Sequence, residues 1–243
     1  MILDELLGQL ASFFGGSSDT ALLSTSDGLV LTLALQCIPL AIGLILSIPL
    51  AFARNSRRLL IRNSVWLYTY LFRGTPMLVQ LFLIYYGLAQ FDVVRSSWAW
   101  NYLRDPYCCA LLSFSLNTTA YTTEILAGQM RRIDWREIEA ALSLGMSRWL
   151  LNIRIVLPSA LRRSLPAYGN EVIMLLHGTS IVSLVTLADI TGIARRIYAD
   201  TYNPFEPFVM AGAIYLILTW LITQLFLKME HRWLAFLRPI AST

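Results

Sequence analysis

The sequence predicts an all-α polytopic membrane protein with five transmembrane helices, its N-terminus outside and its C-terminus cytoplasmic. Three observations carry this. The 243 residues are 56% hydrophobic and 14% charged, whereas a soluble domain carries roughly a quarter charged residues. Apolar runs recur at about the 20-residue length that a spanning helix needs. The basic residues gather in alternate connections between those runs.

The opening segment ILDELLGQLASFF is apolar at helical spacing, with Asp4 and Glu5 on another face. It reads as a short helix lying on the outer surface, followed by a GGSSD linker, so that residues 1–27 form one unit and 28–243 the membrane domain. The first 27 residues hold no Lys or Arg and so lack the basic start of a cleaved signal peptide. Leu29 to Ala53 is uncharged and is the first span. The second runs from about Ser64 to Phe91, interrupted by Arg73-Gly74-Thr75-Pro76, where Thr75-Pro76 reads as an N-cap followed by a first-turn proline. The third is about Tyr107 to Ala127, the fourth about Leu165 to Leu187, and the fifth Pro207 to Leu227. A spanning barrel would show alternating segments of about ten residues, and none occurs.

Orientation follows from the connections. Arg54, Arg57, Arg58 and Arg62 follow the first span. Arg131, Arg132, Arg136, Arg148, Arg154, Arg162 and Arg163 follow the third, and Lys228, Arg232 and Arg238 the fifth. These fourteen face four on the other side: Arg95, Arg104, Arg195 and Arg196. The bias makes the richer side cytoplasmic. It also explains the net charge of +4 as membrane topology and not as a nucleic-acid surface. Cys37, Cys108 and Cys109 lie in apolar runs without a Cys-x-x-Cys and read as buried small hydrophobes.

Several chemistries have no support. A phosphate-binding loop needs a Lys after its glycines, and the sole Lys, Lys228, follows Phe226-Leu227. His177 and His231 are too far apart for a His-Glu-x-x-His zinc site, and there is no Gly-x-Ser-x-Gly elbow. The expectation is a transport subunit without catalytic residues, metal or cofactor of its own.

The connection from about 128 to 164 is the longest and most basic. Trp135, Ile138, Ala141, Leu142 and Leu144 recur mostly at three- and four-residue spacing, as a helix requires. Gly145 breaks that helix, as a residue that accepts positive φ would. Ser147 can cap a second short helix, and Pro158 is expected to end it. A helix that only packs on headgroups is the plain alternative to a docking element.

The spacing Glu139-Ala140-Ala141, three residues, Gly145, nine residues, Ile155, one residue, Leu157-Pro158 resembles the EAA loop of ABC-importer permeases. FRGTPMLVQLFLIYYG (72–87), SLNTTAYTTEILAG (115–128) and LPAYGNEVIMLLHGTS (165–180) resemble the polar amino-acid subfamily. With DTYNPF (200–205) and EHRWL (230–234), the chain is most similar to the M-subunit branch of the histidine/lysine/arginine/ornithine and octopine/nopaline permeases.

The resemblance implies a type I ABC-importer permease fold in the bacterial inner membrane. It implies that Glu139, Ala140, Ala141, Gly145, Leu157 and Pro158 belong to a coupling element docked on an ATP-binding subunit. The implied partners are an ATPase dimer carrying the ATP and Mg, a second, related permease chain, and a periplasmic binding protein. That last would meet the outer loops 92–106 and 188–206 through some of Asp92, Arg95, Arg104, Asp105, Arg195, Arg196 and Glu206. Plain solvated charge is the alternative for each.

Ionisable residues inside spans are costly and mark pathways or partners. Arg73 is a candidate for substrate passage or for contact with a carbonyl or carboxylate, and Glu124 for passage or an ion pair with a nearby Arg. Asn170, Glu171 and His177 fall on two neighbouring stripes of the fourth span that share Met174, which suggests a lined path or a helix contact. Asn117, Thr179 and Ser180 complete the expected pathway set. Many polar amino-acid permeases read Lys-Asp-Thr-Ser where this chain has His177-Gly178-Thr179-Ser180. Loss of a fixed ammonium there, with two carboxylates against one Arg in the spans, points to a basic amino acid. A stand-alone secondary transporter or channel working through membrane carboxylates is the rival from another class.

Overall fold

A computed structural model describes residues 28–234. These residues are helical throughout, with no strand among them, and the expected surface helix and linker at 1–27 lie outside them. Helix α1 is Gly28–Arg54 and α2 is Leu59–Gly74. After a break, α3 is Met77–Phe82, extended by a π turn over Leu83–Gly87 and a 3-10 turn over Leu88–Gln90. Two one-turn helices follow, α4 (Asp92–Arg95) and α5 (Trp100–Leu103). Helix α6 is Pro106–Arg131, capped by Asp105 and started by its proline. Then come α7 (Trp135–Ser143), α8 (Arg148–Leu151) with a π turn over Asn152–Val156, and α9 (Leu157–Thr179) with a 3-10 turn over Ser180–Val185. Helices α10 (Ile190–Thr201) and α11 (Phe205–Trp233) complete the described fold.

Helix α6 is the central post. It packs on α1, α2 and α9, while α9 and α10 pack on α11. The α1–α6 contact is close because of Gly43: a Cβ there would sit 2.5 Å from Thr118 Cγ2 and 3.2 Å from the Thr119 amide nitrogen. Gly43→Val is therefore expected to separate the helices and cost about 1–3 kcal/mol, read as a lower unfolding midpoint of the purified complex in detergent. Three apolar clusters hold the bundle. One sits near the start of α1 and α6 (Leu31, Leu35, Leu81, Phe114, Leu175). A second lies at the far ends of these helices and reaches α7 (Ala51, Leu126, Met130, Ala141, Leu151, Ala160), and a third joins α10 to α11 (Ile190, Ala194, Ala211). Between the first two, α6 turns a band of hydroxyls inward: Ser113, Ser115, Thr118, Thr119, Thr122 and Thr123 are all buried.

Among the described residues two helices, α1 and α11, are each long and apolar enough to cross a membrane, and the bent pair Arg148–Val185 with Ile190–Thr201 (45°) makes up to a third. The expected second span is two helices, as its interruption suggests. The inward hydroxyls of α6 explain its low apolarity: a helix buried against its neighbours need not show lipid an apolar face all round.

Five local expectations are corrected. Thr75 does not open a helix. It closes α2 with extended backbone (φ −115°, ψ 143°) and returns its hydroxyl to Leu71 O at 2.8 Å, while Pro76 is the cap before Met77. A proline forces the residue before it out of the helical region. Pro158 does not end the second short helix. It lies in the first turn of α9, and the chain runs on from α8 through the π turn, which absorbs the hydrogen bond a proline cannot make. Helix α9 accordingly starts at Leu157, not near Leu165. The expected outer loop 188–206 holds α10, whose Ile190, Gly192 and Ala194 are buried while Arg195, Arg196 and Glu206 stay exposed. Of the cysteines only Cys109 is buried; Cys37 is exposed.

Candidate functional site

The break between α2 and α3 positions the first site. Proline at 76 interrupts the helix, and buried Gln80 repairs the frayed end. Its Nε2 lies 2.7 Å from Phe72 O, 3.0 Å from Thr75 O and 2.8 Å from Thr75 Oγ1. Asn117 of α6 donates to Phe72 O (3.2 Å) and to Gln80 Oε1 (3.0 Å). Such freed backbone at membrane depth is tolerated where protein groups satisfy it. Asn117, expected in the pathway, therefore has its amide nitrogen committed to the helix break.

Beside the break is a cavity of about 380 Å³ lined by Arg73, Asn117, Tyr121, Glu171, Met174 and Gly178, among others. Arg73 lies over the Tyr121 ring, 5.2 Å from the centroid, and the Tyr121 hydroxyl donates to Arg73 O at 3.4 Å. The ring face attracts the guanidinium and fixes its position. Glu171 is 5% exposed and makes no ion pair among the described residues. The cavity thus has one fixed cation and one buried carboxyl group. A second cavity, of about 420 Å³, shares Arg73, Gly74 and Thr75 and extends to Arg54 and Glu124.

The other expected pathway residues lie elsewhere. Glu124 makes the ion pair anticipated as its alternative: Arg54 Nε donates to it at 2.6 Å and Thr69 Oγ1 at 2.8 Å, joining α1, α2 and α6. Asn170 and His177 are exposed, with His177 Nε2 3.1 Å from Thr219 Oγ1 of α11. The Thr179 and Ser180 hydroxyls donate back to Leu176 O and His177 O. The two stripes read from the sequence therefore separate: Glu171 faces the cavity, and Asn170 and His177 face away from the core. Gly178 has a steric reason. A Cβ there would meet Met77 Sδ at 2.7 Å, so an Asp at this position would need Met77 to move. Tyr121 and Gln80 were missed. Tyr121 lies four residues after Asn117, on its stripe, and Gln80 is a lone amide in an apolar run, so both left a signal.

The second site is the element from α7 to the start of α9. Asp134 caps α7 and Ser147 caps α8, accepting from Leu150 N at 3.3 Å. Gly145 has φ +79°, the left-handed conformation that glycine adopts without strain. Ala141 is buried against Leu126, Met130 and Ala160, whereas Glu139 and Ala140 face outward. Leu157 packs on the same cluster and Pro158 is half-buried in the first turn of α9. Glu137 approaches Arg163 at 3.8 Å. The outer face carries Trp135 (62% exposed), Leu144 (86%) and Trp149 (74%) around Glu139. Large apolar side chains facing out from such an element can serve a protein contact or membrane headgroups.

A helical bundle with helices long and apolar enough to cross a membrane, around a cavity lined by polar side chains, defines a polytopic membrane protein. The family of binding-protein-dependent transport system inner membrane components matches residues 12–234, and the chain belongs to that family. It is similar to the nopaline transport system permease protein NocM of Agrobacterium fabrum, 45% identical over 200 residues (82% of this chain, 83% of that one). It is likewise similar to the histidine/lysine/arginine/ornithine transport system permease protein HisM of Escherichia coli, 43% identical over 216 residues (88% and 91%).

Among solved structures, an amino acid ABC transporter crystallised with histidines matches with a TM-score of 0.74 at 33% identity, covering 84% of this chain and 92% of that one. The MetNI methionine transporter, at 15% identity and a TM-score of 0.68 (84% and 93%), shares the fold. The protein is thus an inner-membrane permease subunit of an ABC importer and not an enzyme. ATP hydrolysis falls to a separate subunit, and membership implies ATPase and binding-protein partners. Nothing in these likenesses supports a stand-alone carrier.

Proposed function

We propose that this chain passes a basic amino acid of the arginine, ornithine, lysine or histidine type, released by a periplasmic binding protein, through the cavity between Arg73 and Glu171. The buried Glu171 carboxyl group, which makes no ion pair among the described residues, carries the proposal. A buried charge without a partner is costly unless its partner arrives as a ligand. Arg73 suits the substrate α-carboxylate, because a guanidinium binds a carboxylate through two parallel hydrogen bonds, and Glu171 suits the cationic side chain. A volume of about 380 Å³ lies within the range of small-molecule sites. Relatives named for nopaline, octopine and histidine/lysine/arginine/ornithine transport support the same substrate class.

The chain crosses the membrane five times, with α1, α2–α3, α6, α9 and α11 as crossings and the Arg-rich connections in the cytoplasm. A second, related permease chain completes the pathway. An ATPase dimer, carrying ATP and Mg, grips α7 around Glu139, Ala140 and Leu144. Closure of that dimer moves α7, and the Ala141 cluster passes the motion to the feet of α1, α6 and α9. The cavity then exchanges sides, in the manner of alternating access. Asp92, Arg95, Arg104, Asp105, Arg195, Arg196 and Glu206 are the outer-surface charges offered to the binding protein.

The test is purification of the tagged chain with its native partners, followed by ATPase assays with the binding protein and a panel of amino acids. Stimulation by basic members and not by glutamine or glutamate is expected. Equal stimulation by neutral or acidic members would refute the substrate class.

A further inference from the structure

A cleft of about 800 Å³ opens where α1 turns into α2, against the foot of α6 and the π turn that leads into α9. Arg54, Arg57, Arg62 and Arg131 line it, and no Asp or Glu does. Arg54 is neutralised by Glu124. Arg57, Arg62 and Arg131 make no ion pair among the described residues. Arg131 is held toward the cleft by an uncharged acceptor, Asn55 Oδ1, at 2.9 Å. The Asn55 amide nitrogen is itself fixed on Ala127 O (3.1 Å), which leaves its oxygen to Arg131. Three uncompensated guanidiniums therefore converge on one recess, and they repel one another unless an anion sits between them. The recess is not purely polar, since Phe52 and Met130 form part of its wall. Leu59 and Leu60, in the chain between Arg58 and Ile61, are 61% and 86% exposed.

We propose that this cleft binds the phosphate of an anionic membrane lipid. Arg57, Arg62 and Arg131 pair with the phosphate oxygens, and the acyl chains run along Leu59, Leu60 and the apolar wall. Phosphate is the chemistry that guanidiniums match through bidentate hydrogen bonds. A lipid is favoured over inorganic phosphate because exposed leucines and an apolar wall have nothing to contribute to a small hydrophilic ion. It is favoured over an acidic protein segment because the cleft sits at the base of membrane helices, where basic residues meet headgroups. Asn152 and Val156, from the turn between α8 and α9, also line the cleft. Lipid occupancy thus bears on the position of the element that receives the ATPase, whatever substrate is carried.

The experiment titrates phosphatidylglycerol, and separately phosphatidylcholine, into the detergent-purified complex of this chain with its permease and ATPase partners, counting bound lipid by native mass spectrometry. The wild type is expected to prefer phosphatidylglycerol. Each of Arg57→Gln, Arg62→Gln and Arg131→Gln is expected to reduce that preference about fivefold, and the triple variant about a hundredfold. The single variants keep the test open where the triple does not assemble. Lys228→Gln, in α11 and outside the cleft, is expected to leave the preference unchanged. Lipid preference equal in wild type and variants overturns the proposal. So does displacement of bound phosphatidylglycerol by an equal concentration of inorganic phosphate, which would mark a free-anion site. Loss of the ATPase from the triple variant with unaltered lipid preference overturns it in favour of a protein contact.

Discussion

Glu171→Gln is expected to lower arginine import by about a hundredfold while leaving complex assembly and basal ATP hydrolysis intact. Truncating one partner of a buried, hydrogen-bonded charge pair costs about 2–5 kcal/mol, and each 1.4 kcal/mol is a factor of ten. The amide nearly preserves shape and removes only the charge. Glu171 is 5% exposed on the buried side of α9, so the neutral form relieves a burial cost and the helix bundle has no reason to loosen. The measurement is uptake of labelled arginine into proteoliposomes holding the complete importer, beside its substrate-free ATPase rate. Arginine uptake at the wild-type level in Glu171→Gln would sink the assignment of this carboxylate to the substrate. A loss of assembly together with uptake would make Glu171 a structural residue.

The second large effect is expected at the docking element. Glu139 is exposed on the side of α7 that carries Trp135, with Leu144 projecting at the bend. In the docking proposed above, the charge reversal Glu139→Lys replaces an attraction to the ATPase groove with a repulsion. Central interface residues cost about 2 kcal/mol or more when lost, which is about thirtyfold in affinity. The expected result is a permease that reaches the membrane in normal amount, retains less ATPase on purification and imports little. Leu144→Asp is expected to do the same through the apolar part of the contact. Both side chains are exposed, so neither change strains the fold. An importer with Glu139→Lys that keeps its ATPase and transports normally would show that α7 docks through other residues.

These two sites were legible in the sequence to different degrees. The local form of the element from α7 to the start of α9 was read almost whole. Its helix, its left-handed Gly145 and its Ser147 cap are local features, set by residues within a turn or two of one another. Pro158 was the exception, because proline permits either a helix end or a helix start and the π turn before it leaves no mark in composition. The cavity was read only in part. Arg73 and Glu171 stood out because charge inside an apolar run is conspicuous. Asn170, His177, Thr179 and Ser180 stood out equally and proved to be satisfied locally or turned away from the core. A stripe count places residues on a face of one helix; it does not say which neighbour that face meets.

The sequence by itself determined a helical inner-membrane permease, the bias of its charges and the helix, bend and helix that lead from α7 into α8. Each rests on composition or on contacts within a few residues. Tertiary structure decided what the buried charges do. It paired Glu124 with Arg54 across 70 positions and left Glu171 facing a cavity with Arg73 held on Tyr121. It also gathered Arg57, Arg62 and Arg131 around one cleft. The physical reason is that a charge takes its meaning from the atoms within a few ångströms, and in a folded bundle most of those atoms belong to distant parts of the chain.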